Sequence, residues 1–555
     1  MTMSDSSLTL SAVFVGVAVL ATVVDILAER AWLRLRRMKY EGRIDFSKKA
    51  GGDRVVFSTV DLQKKENDEK HPLIATAPPA SHGASITVGG APDGAGVSCS
   101  DTPALVSQDE EVPPLMLLPN LSALCGRSIL VKCEHLSVGA SLKDRIAQRL
   151  VRECVRQGKR KLFEGTSGST GVSLARLCKE HNARRRKELE LKGHHHVAHD
   201  EEATQGKGLR GEHHEKDGNL LECHIFAPED CEPGKLQLMA EYGAIVHRCK
   251  PTTFSSPEHY MQQCLRAVRQ SERAQPGSTF FCDQFETELN WREHYENTGP
   301  EIWRQLMNMR GRTPGSETET EGGVLDAFVM SAGTGGTIAG CSRYFKEQTK
   351  LLRQGNKDQS QRTCGGDSFV RQQNQHKMFV VLADPQGSSL ATRVREGVCF
   401  NADYEREGHR AQLVDQDTIT EGFGLNRITQ NFRKALPYID DAISVSDKDA
   451  VLMCHYLRYA EGLFCGSSSG AHLAAALQVA AKLPRGSRVL TVLCDKGDRY
   501  RKKFWNKDVL RTRGLLPFNE ADVEAENASS SNAPPLNENA ERLADVVRQR
   551  FFPVS

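Results

Sequence analysis

A lysine at a predicted strand-to-helix junction is the first residue of this chain that could do chemistry. The motif GASLKDR, residues 139–145, follows the β-like run SILVKCE and precedes the helical pattern RIAQRLV, so Lys143 is expected near a helix start. The positive end of the helix dipole disfavours an ammonium group there and lowers its pKa. A lysine that loses its proton readily attacks carbonyl groups, and the usual product is a Schiff base. Taken alone, the motif is explained better by an ordinary surface lysine.

A glycine-rich loop follows another predicted strand. Residues 329–340 read VMSAGTGGTIAG, a β-type run that breaks at Gly333 and resumes as a helix. Backbone N–H groups at a helix N-terminus suit a phosphate. The loop lacks the Lys-Ser/Thr pair of a nucleotide P-loop, and Ile338 stands where a dinucleotide-binding fingerprint requires its third glycine. The loop indicates either the phosphate of another ligand or a tight turn that binds nothing.

Two more polar loops precede predicted helices. EGTSGSTGVSLA, residues 164–175, offers hydroxyl and backbone donors to an anion such as a carboxylate. CGSSSGAHLAAAL, residues 465–477, is a third loop of this kind. Each could be simple helix capping. In open α/β sheets, however, such junctions gather along one edge and form the binding crevice, which would bring all three loops and the lysine together.

The elements around these loops predict a mostly parallel α/β sheet. From about residue 112, short β-like runs such as DAFVMSA, MFVVLAD and RVLTVLC alternate with helical patterns, which is typical of βαβ units. The 555-residue chain has 73 basic and 71 acidic residues, so its charge gives no reason to expect nucleic-acid binding. Sixteen cysteines without a C-x-x-C pair favour reduced thiols over disulfides or zinc.

A phosphate loop, a carboxylate loop and a reactive lysine together indicate pyridoxal 5′-phosphate (PLP) acting on an amino acid. The chain resembles the cysteine synthase and cystathionine β-synthase family of fold-type II PLP enzymes. The motifs that carry the resemblance are KCEHLSVGASLKDR, TSGSTG, APEDCEPGKLQLMAEYGAIV, QFETELN, HYENTGPEIW, GTGGT, VLADPQGSS, GSSSGA and DKGDRY. They cover roughly residues 112–506 apart from two inserts, and in this order they are highly specific as a set.

The resemblance implies a fold and a set of site residues. The fold is the two-lobed, tryptophan synthase β-subunit-like α/β architecture with parallel-type sheets, with the smaller lobe built from about 137–285. Lys143 would bind the cofactor covalently and later act as general base and acid. Ser468 would face the pyridine nitrogen, and Ser169 stands where the family usually has an Asn near the 3′-oxygen. The cofactor phosphate would lie against Gly333, Thr334, Gly335, Gly336 and Thr337, and the substrate carboxylate against Thr166, Ser167, Gly168, Thr170 and Gln284.

The activity implied is that of a cysteine-forming transferase. O-acetyl-L-serine, or serine, would lose its β-substituent, and sulfide would replace it to give L-cysteine. One alternative is a cystathionine β-synthase-like enzyme or a β-eliminating lyase on the same cofactor. Another is a PLP-binding membrane scaffold without turnover. The chain departs from the family pattern at Ser169, at Ser137–Val138 before the lysine loop, and in EGFGLNRIT, residues 421–429, where Leu425 and Asn426 add bulk beside the substrate.

The N-terminus predicts a membrane anchor over residues 6–28. Ser6–Val24 is an uncharged run of 19 residues, long enough to cross a bilayer as a helix. Basic residues follow it, which by the positive-inside rule keeps the catalytic domain on the cytosolic side: Arg30, Arg34, Arg36, Arg37 and Lys39. The resemblance favours the mitochondrial outer membrane, with the endoplasmic reticulum as the alternative, and a homodimer.

The remaining segments are predicted to lie outside the catalytic core. Residues 41–112 indicate a disordered linker, 183–219 and 353–376 two disordered surface inserts, and 511–555 a low-complexity tail with a short amphipathic helix, leaving 112–510 as the catalytic domain. The first insert contains six histidines, which are interpreted as a solvated cluster rather than a metal site because no rigid spacing holds them: His194, His195, His196, His199, His213 and His214.

Overall fold

A computed structural model describes residues 112–166, 168–197, 220–252, 254, 256–309, 324–362, 377–399, 418–517 and 536–553. Its strands are β1 (Leu115–Leu117), β2 (Ser128–Lys132), β3 (Lys161–Gly165), β4 (Glu222–Pro228), β5 (Ile245–Cys249), β6 (Thr279–Phe281), β7 (Ala327–Ser331), β8 (Phe379–Pro385), β9 (Asp441–Val445) and β10 (Arg488–Val492).

Helices separate most of these strands. They are α1 (Pro119–Cys125), α2 (Lys143–Arg156), α3 (Ser169–Val197), α4 (Pro233–Glu241), α5 (Tyr260–Ala274), α6 (Glu288–Glu293), α7 (Gly299–Met309), α8 (Gly336–Arg362), α9 (Leu390–Glu396), α10 (Gln430–Ala435), α11 (Asp447–Ala460), α12 (Ser467–Lys482), α13 (Lys507–Thr512) and α14 (Leu536–Phe551). One π-helical turn, His294–Thr298, joins α6 to α7, and short 3₁₀ turns cover Glu134–Leu136, Leu436–Tyr438 and Gly497–Tyr500.

The larger sheet has six strands in the order β1-β2-β10-β7-β8-β9. All pairs are parallel except β1 with β2. Helices cover both faces, so the central strands are mostly apolar and every residue of β7 is buried. Successive side chains enter opposite core clusters: Val329 packs with α11, α12 and α14, whereas Phe328 packs with α7, α8 and α9.

The smaller sheet has four parallel strands in the order β5-β4-β3-β6. Leu162 and Ile225 face a cluster formed with α2, α3 and α4, while Phe163 and Phe226 face α5. Two helix-covered parallel sheets confirm the predicted two-lobed α/β fold. The predicted lobe bounds, 137–285, enclose all four strands of this sheet.

The two inserts begin as helix, contrary to the loops predicted there. Helix α3 continues through residues 183–197 and α8 through 353–362. In the first case the segment ARRRKELELK combines strong helix formers with an Arg185–Glu188 ion pair of 3.0 Å between residues three apart. Composition suggested disorder because charge was dense, yet the same charges support an exposed helix. Residues 198–219 and 363–376 lie outside the described ranges.

The C-terminal helix packs on the body of the larger lobe. Leu543, Val547 and Phe551 of α14 belong to the buried cluster that α11 and α12 also line. Arg550 pairs with Asp449 of α11, with Nε 2.7 Å from Oδ1. The amphipathic stretch predicted in the tail is therefore a structural part of the lobe, beyond the 510 boundary expected for the domain.

Replacing Val547 by aspartate will destabilise the larger lobe, whereas the same change at Val546 will not. Val547 is fully buried and Val546 is 40% exposed. A buried, unpaired carboxylate should cost at least about 3 kcal/mol of unfolding free energy. Urea unfolding of the two variants measures the difference, and equal midpoints would show that α14 does not dock in solution.

The predicted anchor lies outside the part of the chain that the structure describes, as do residues 41–111 of the predicted linker. Within the described ranges, no helix has both the length and the apolar character needed to cross a membrane.

Candidate active site

Lys143 is the first residue of α2, as the sequence predicted. The backbone before it is held against the segment that follows β10. Leu142 N–H donates to the Cys494 carbonyl at 2.7 Å, and Ser141 forms an isolated antiparallel β-bridge with Asp495. Burial lowers the pKa of Lys143, and the neighbouring Cys494 and Asp495 only partly oppose this shift. Loss of hydration is therefore the main effect that favours a neutral amine.

The turn before Lys143 is held by its own side chains. Ser137 Oγ donates to Asp144 Oδ2 at 2.9 Å and accepts from Ser141 N–H at 3.0 Å. Arg499 donates to the Gly139 carbonyl, and Ala140 sits at a φ of +56°, a region that residues with a Cβ rarely adopt. The serine that departs from the family pattern thus has a defined task, which is to fix the approach to the lysine.

Replacing Ser137 by alanine will destabilise this turn. The Asp144 carboxylate would lose its 2.9 Å donor while remaining buried, which should cost about 1–2 kcal/mol. Chemical denaturation measures the loss. Ser137→Thr, which retains the hydroxyl, is the matched control; if the alanine and threonine variants unfold at the same midpoint, the hydroxyl does not hold the turn.

The glycine-rich loop forms a cradle between β7 and α8. A Cβ on Gly333 would lie 2.4 Å from the Gly422 carbonyl oxygen, and one on Gly336 would lie 2.1 Å from Asn290 Oδ1. Gly335 has a φ of +87°, and its Cβ would meet the Phe432 backbone nitrogen at 2.5 Å. The first turn of α8 therefore presents N–H groups without intrahelical partners in a bend that only glycines fit, which suits a phosphate.

The two threonines of the cradle are oriented by groups behind them. Asn290 Nδ2 donates to Thr334 Oγ1 at 3.0 Å, and Thr429 Oγ1 donates to the Thr334 carbonyl at 2.6 Å. Thr337 Oγ1 hydrogen-bonds His294 Nε2 at 3.1 Å. These contacts fix the orientation of both threonines in the cradle.

His294 is a site residue that the sequence analysis did not single out, although it lies in the motif HYENTGPEIW. Its Nδ1 hydrogen-bonds Thr298 Oγ1 at 3.0 Å within the π-helical turn. Burial and the nearby cations Arg145 and Lys143 hold the pKa of His294 well below its usual range. A neutral imidazole therefore bridges the turn to Thr337.

The hydroxyl-rich loop, in the segment 164–175, follows β3 and leads into helix α3 at Ser169. Thr166 Oγ1 accepts from Gly168 N–H at 3.1 Å, and Gly168 has a φ of +138°. Ser169 Oγ donates to Asp495 Oδ2 at 3.2 Å, and that oxygen also accepts from the Tyr500 hydroxyl at 2.6 Å. Ser169, which replaces the family's Asn, is thus tied to the segment that borders the lysine. Ser167 lies outside the described residues.

Gln284 is buried behind the hydroxyl-rich loop. Its Oε1 accepts from Thr170 Oγ1 at 2.7 Å, and its Nε2 donates to Glu164 Oε1 at 3.1 Å. Burial raises the pKa of Glu164 to about 8. The amide of Gln284 therefore orients Thr170, and its direct contact with a substrate carboxylate stays a prediction.

Ser468 lies in the first turn of α12 and is buried. Its hydroxyl is a hydrogen-bonding neighbour of the Cys494 thiol, whose pKa burial raises to about 12. His472, one turn further along α12, hydrogen-bonds Ser331 Oγ at 2.6 Å and the Val492 carbonyl at 2.7 Å, and so joins the ends of β7 and β10. A neutral thiol thus lies near Lys143, and the Ser468 hydroxyl is in contact with that thiol.

The loop at 421–429 closes over the glycine cradle. Gly424 N–H donates to the Ala332 carbonyl at 2.9 Å, and Thr429 caps α10 through Phe432 N–H at 2.9 Å. Leu425 packs against the larger lobe's apolar cluster. The bulk of Leu425 that departs from the family pattern is therefore accommodated by the core.

No group of three or more His, Cys, Asp or Glu side chains among the described residues could hold a metal ion. The side chains of the histidine cluster, at 194–214, fall outside that set. Every cysteine in the described ranges is a free thiol.

Comparison with known proteins identifies the chain's relatives. The model of the family described as "Pyridoxal-phosphate dependent enzyme" matches residues 106–185 and 218–495. "Cysteine synthase 2" of Neurospora crassa is 37% identical over 402 residues, 71% of either chain. "Cysteine synthase 2" of Schizosaccharomyces pombe is 35% identical over 73% of this chain and 84% of its own, and "Putative mitochondrial cysteine synthase" of Saccharomyces cerevisiae is 35% identical over 71% and 82%.

The residues present fit the cofactor of this family. The glycine cradle suits its phosphate, the desolvated Lys143 suits its aldehyde, and the uncharged Ser468 suits a ring nitrogen without a full positive charge. The cofactor is pyridoxal 5′-phosphate, and the chain belongs to the cysteine synthase and cystathionine β-synthase family of PLP-dependent enzymes.

Proposed function

We propose that this chain catalyses β-replacement, forming L-cysteine from O-acetyl-L-serine or serine and sulfide. The observation that carries the proposal is the position of Lys143 at the start of α2. Its amine lies near Asp495, which holds Ser169 of the hydroxyl-rich loop, and near His294, which holds Thr337 of the glycine cradle. Burial lowers the pKa of this amine, which suits a proton acceptor. The names of the three fungal relatives support the same activity.

The chain's own residues divide the work of this reaction. When bound, PLP withdraws electrons from the amino acid's α-carbon and so acidifies its α-proton. Lys143 Nζ accepts that proton and returns it after the thiol has added. Thr166, Gly168 and Thr170, with Ser167, bind the substrate carboxylate and so fix which bond faces the amine.

The cofactor-binding residues hold PLP and set how strongly its ring withdraws electrons from the substrate. Gly333, Gly335 and Gly336, with Thr334 and Thr337, bind the phosphate and keep the ring in one place. Ser468 offers the ring nitrogen a neutral hydroxyl, which limits electron withdrawal to what β-replacement needs. Ser169, whose hydroxyl donates to Asp495 Oδ2 at 3.2 Å, would lie near the 3′-oxygen of the cofactor.

The test is product formation by the full chain loaded with cofactor. We expect O-acetylserine and sulfide to yield cysteine, with little pyruvate when sulfide is omitted. Fast pyruvate release would instead identify a β-eliminating lyase, and cystathionine formed with homocysteine would identify a cystathionine β-synthase-like enzyme. A chain that shows the cofactor's visible absorbance yet forms none of these products would be the non-catalytic scaffold.

We also propose that residues 6–28 anchor the chain in the mitochondrial outer membrane, with the catalytic domain in the cytosol. The uncharged run Ser6–Val24 and the basic residues after it support an anchor, and the name of the Saccharomyces cerevisiae relative supports the organelle. Carbonate extraction of isolated organelles tests the proposal. The full chain should stay with the outer membrane and a chain lacking 6–28 should not; recovery with the endoplasmic reticulum would move the anchor there.

We propose that the catalytic domain, about 112–510, in which residues 137–285 form the smaller lobe, assembles as a homodimer. The resemblance to the family supports this arrangement. Light scattering should give twice the chain mass, and a monomer with full activity would refute the dimer.

A further inference from the structure

A buried lysine that no catalytic step uses lies beside the hydroxyl-rich loop. Lys235, on α4, is 1% exposed, and its Nζ donates to Glu421 Oε2 at 2.8 Å. The same ammonium lies 4.0 Å from the centroid of the Tyr500 ring. Glu421 Oε1 accepts a second bond, from Lys503 Nζ at 3.1 Å. We call Lys235, Glu421 and Lys503 the clasp.

The clasp joins elements that belong to different sheets. Lys235 lies on α4, which covers the smaller sheet. Glu421 begins the loop that closes over the glycine cradle, and Lys503 follows β10 of the larger sheet. Because the two sheets share no strand, an ion pair between them resists their separation directly.

The stem of Lys235 also supports the hydroxyl-rich loop. A Cβ on Gly168 would lie only 2.5 Å from Lys235 Cδ, so the loop rests on the lysine's methylene groups at a position that has no side chain. Gly168 N–H donates to Thr166 Oγ1 at 3.1 Å, which couples this support to a residue assigned to the carboxylate.

The two lysines of the clasp keep Glu421 ionised despite its burial. Burial by itself would raise the pKa of Glu421, but Lys235 and Lys503 more than offset it and the pKa is lowered. Nearby Glu232 has one buried carboxylate oxygen without a hydrogen bond, and burial raises the pKa of this residue. Removing Glu421 would therefore leave the Lys235 ammonium inside the protein without the carboxylate it pairs with, whereas removing Lys235 would leave Glu421 with Lys503 alone.

We propose that Lys235 is a positioning residue. Through its ion pair with Glu421 it joins α4 to the loop at 421–429, and it holds Thr166 and Gly168 in the geometry that binds the amino-acid carboxylate. The inference rests on the proposed function, because the clasp is assigned to the binding of O-acetylserine, the first substrate of that reaction. It concerns the binding of the amino-acid substrate rather than the proton transfer at Lys143.

Steady-state kinetics of Lys235→Met will show a selective loss. We expect KM for O-acetylserine to rise about tenfold or more while KM for sulfide and kcat change far less, because the substrate loop is loosened and Lys143 is not. Glu421→Gln, which keeps the shape and removes the charge, should shift the same constant in the same direction. It carries the test if the methionine variant folds poorly.

Hydrogen exchange of the protein without amino-acid substrate reports on the clasp independently of turnover. Amides at 166–172 and in α4 should exchange faster in Lys235→Met and Glu421→Gln than in the parent chain. Lys346→Met is the matched control, because it breaks the Lys346–Asp440 pair inside the larger lobe only. Unchanged exchange rates together with an unchanged KM would overturn the role of the clasp. If the variants exchange faster but the parent chain makes no cysteine, the proposed function alone would be overturned.

Discussion

Alanine in place of Lys143 will abolish cysteine formation, with kcat falling about a thousandfold or more, because the amine that accepts the α-proton at the start of α2 is removed. Arginine will fail equally, since a guanidinium stays protonated where an amine with a lowered pKa does not. The rate of cysteine production from O-acetylserine and sulfide is the measurement.

The control for this result lies on the same helix. Arg152→Ala removes an exposed cation from α2 and should leave the rate unchanged. The Lys143→Ala chain should remain folded, because the amine makes no hydrogen bond among the described residues. A Lys143→Ala enzyme with more than about a tenth of the parent kcat would place the proton transfer on another group.

Alanine at Gly335 will empty the cofactor site. The φ of +87° costs an alanine about 1–2 kcal/mol. The new Cβ would also overlap the Phe432 backbone at 2.5–2.6 Å, which no side-chain rotation relieves. We expect the affinity for PLP to fall about a hundredfold or more, measured by titration of the stripped protein with cofactor.

Gly158→Ala separates the two causes. Gly158 has a φ of +66°, and a Cβ added there would meet no atom of the described residues within 4 Å, so alanine suffers backbone strain alone. That variant should lose a little stability and bind PLP normally. Comparable cofactor affinity in the two variants would show that the cradle does not depend on close backbone approach.

The sequence located the catalytic junctions well because each is a local pattern. A β-type run followed by glycines, hydroxyls or a lysine and then by a helical pattern identified the loops at 139–145, 164–175, 329–340 and 465–477, and the structure places a helix start at each. Local patterns could not give the strand order. β10 pairs with β2 and β7, more than 150 residues away on either count, and only the complete fold decides that neighbourhood.

Residues that act through contacts escaped the sequence analysis. His294 and Lys235 lie in motifs that match the family, and Glu421 lies in the loop that departs from it. Their roles, however, come from partners distant in sequence. His294 contacts Thr337, Lys235 lies against Gly168, and Lys235 and Glu421 pair with each other. The helical starts of the inserts were missed for another reason. Dense charge predicts solvation, and an exposed helix satisfies that condition as well as a loop does.

The position of β10 has a consequence for how the protein is made. The smaller sheet uses one continuous stretch, 161–281, and can assemble while the ribosome is still translating the rest. The larger sheet cannot, because the strand that fills the gap between β2 and β7 is the last of the ten described strands to be synthesised. Until it emerges, two strand edges stay unpaired, so we expect the nascent chain to depend on chaperones late in synthesis and to tolerate premature termination poorly.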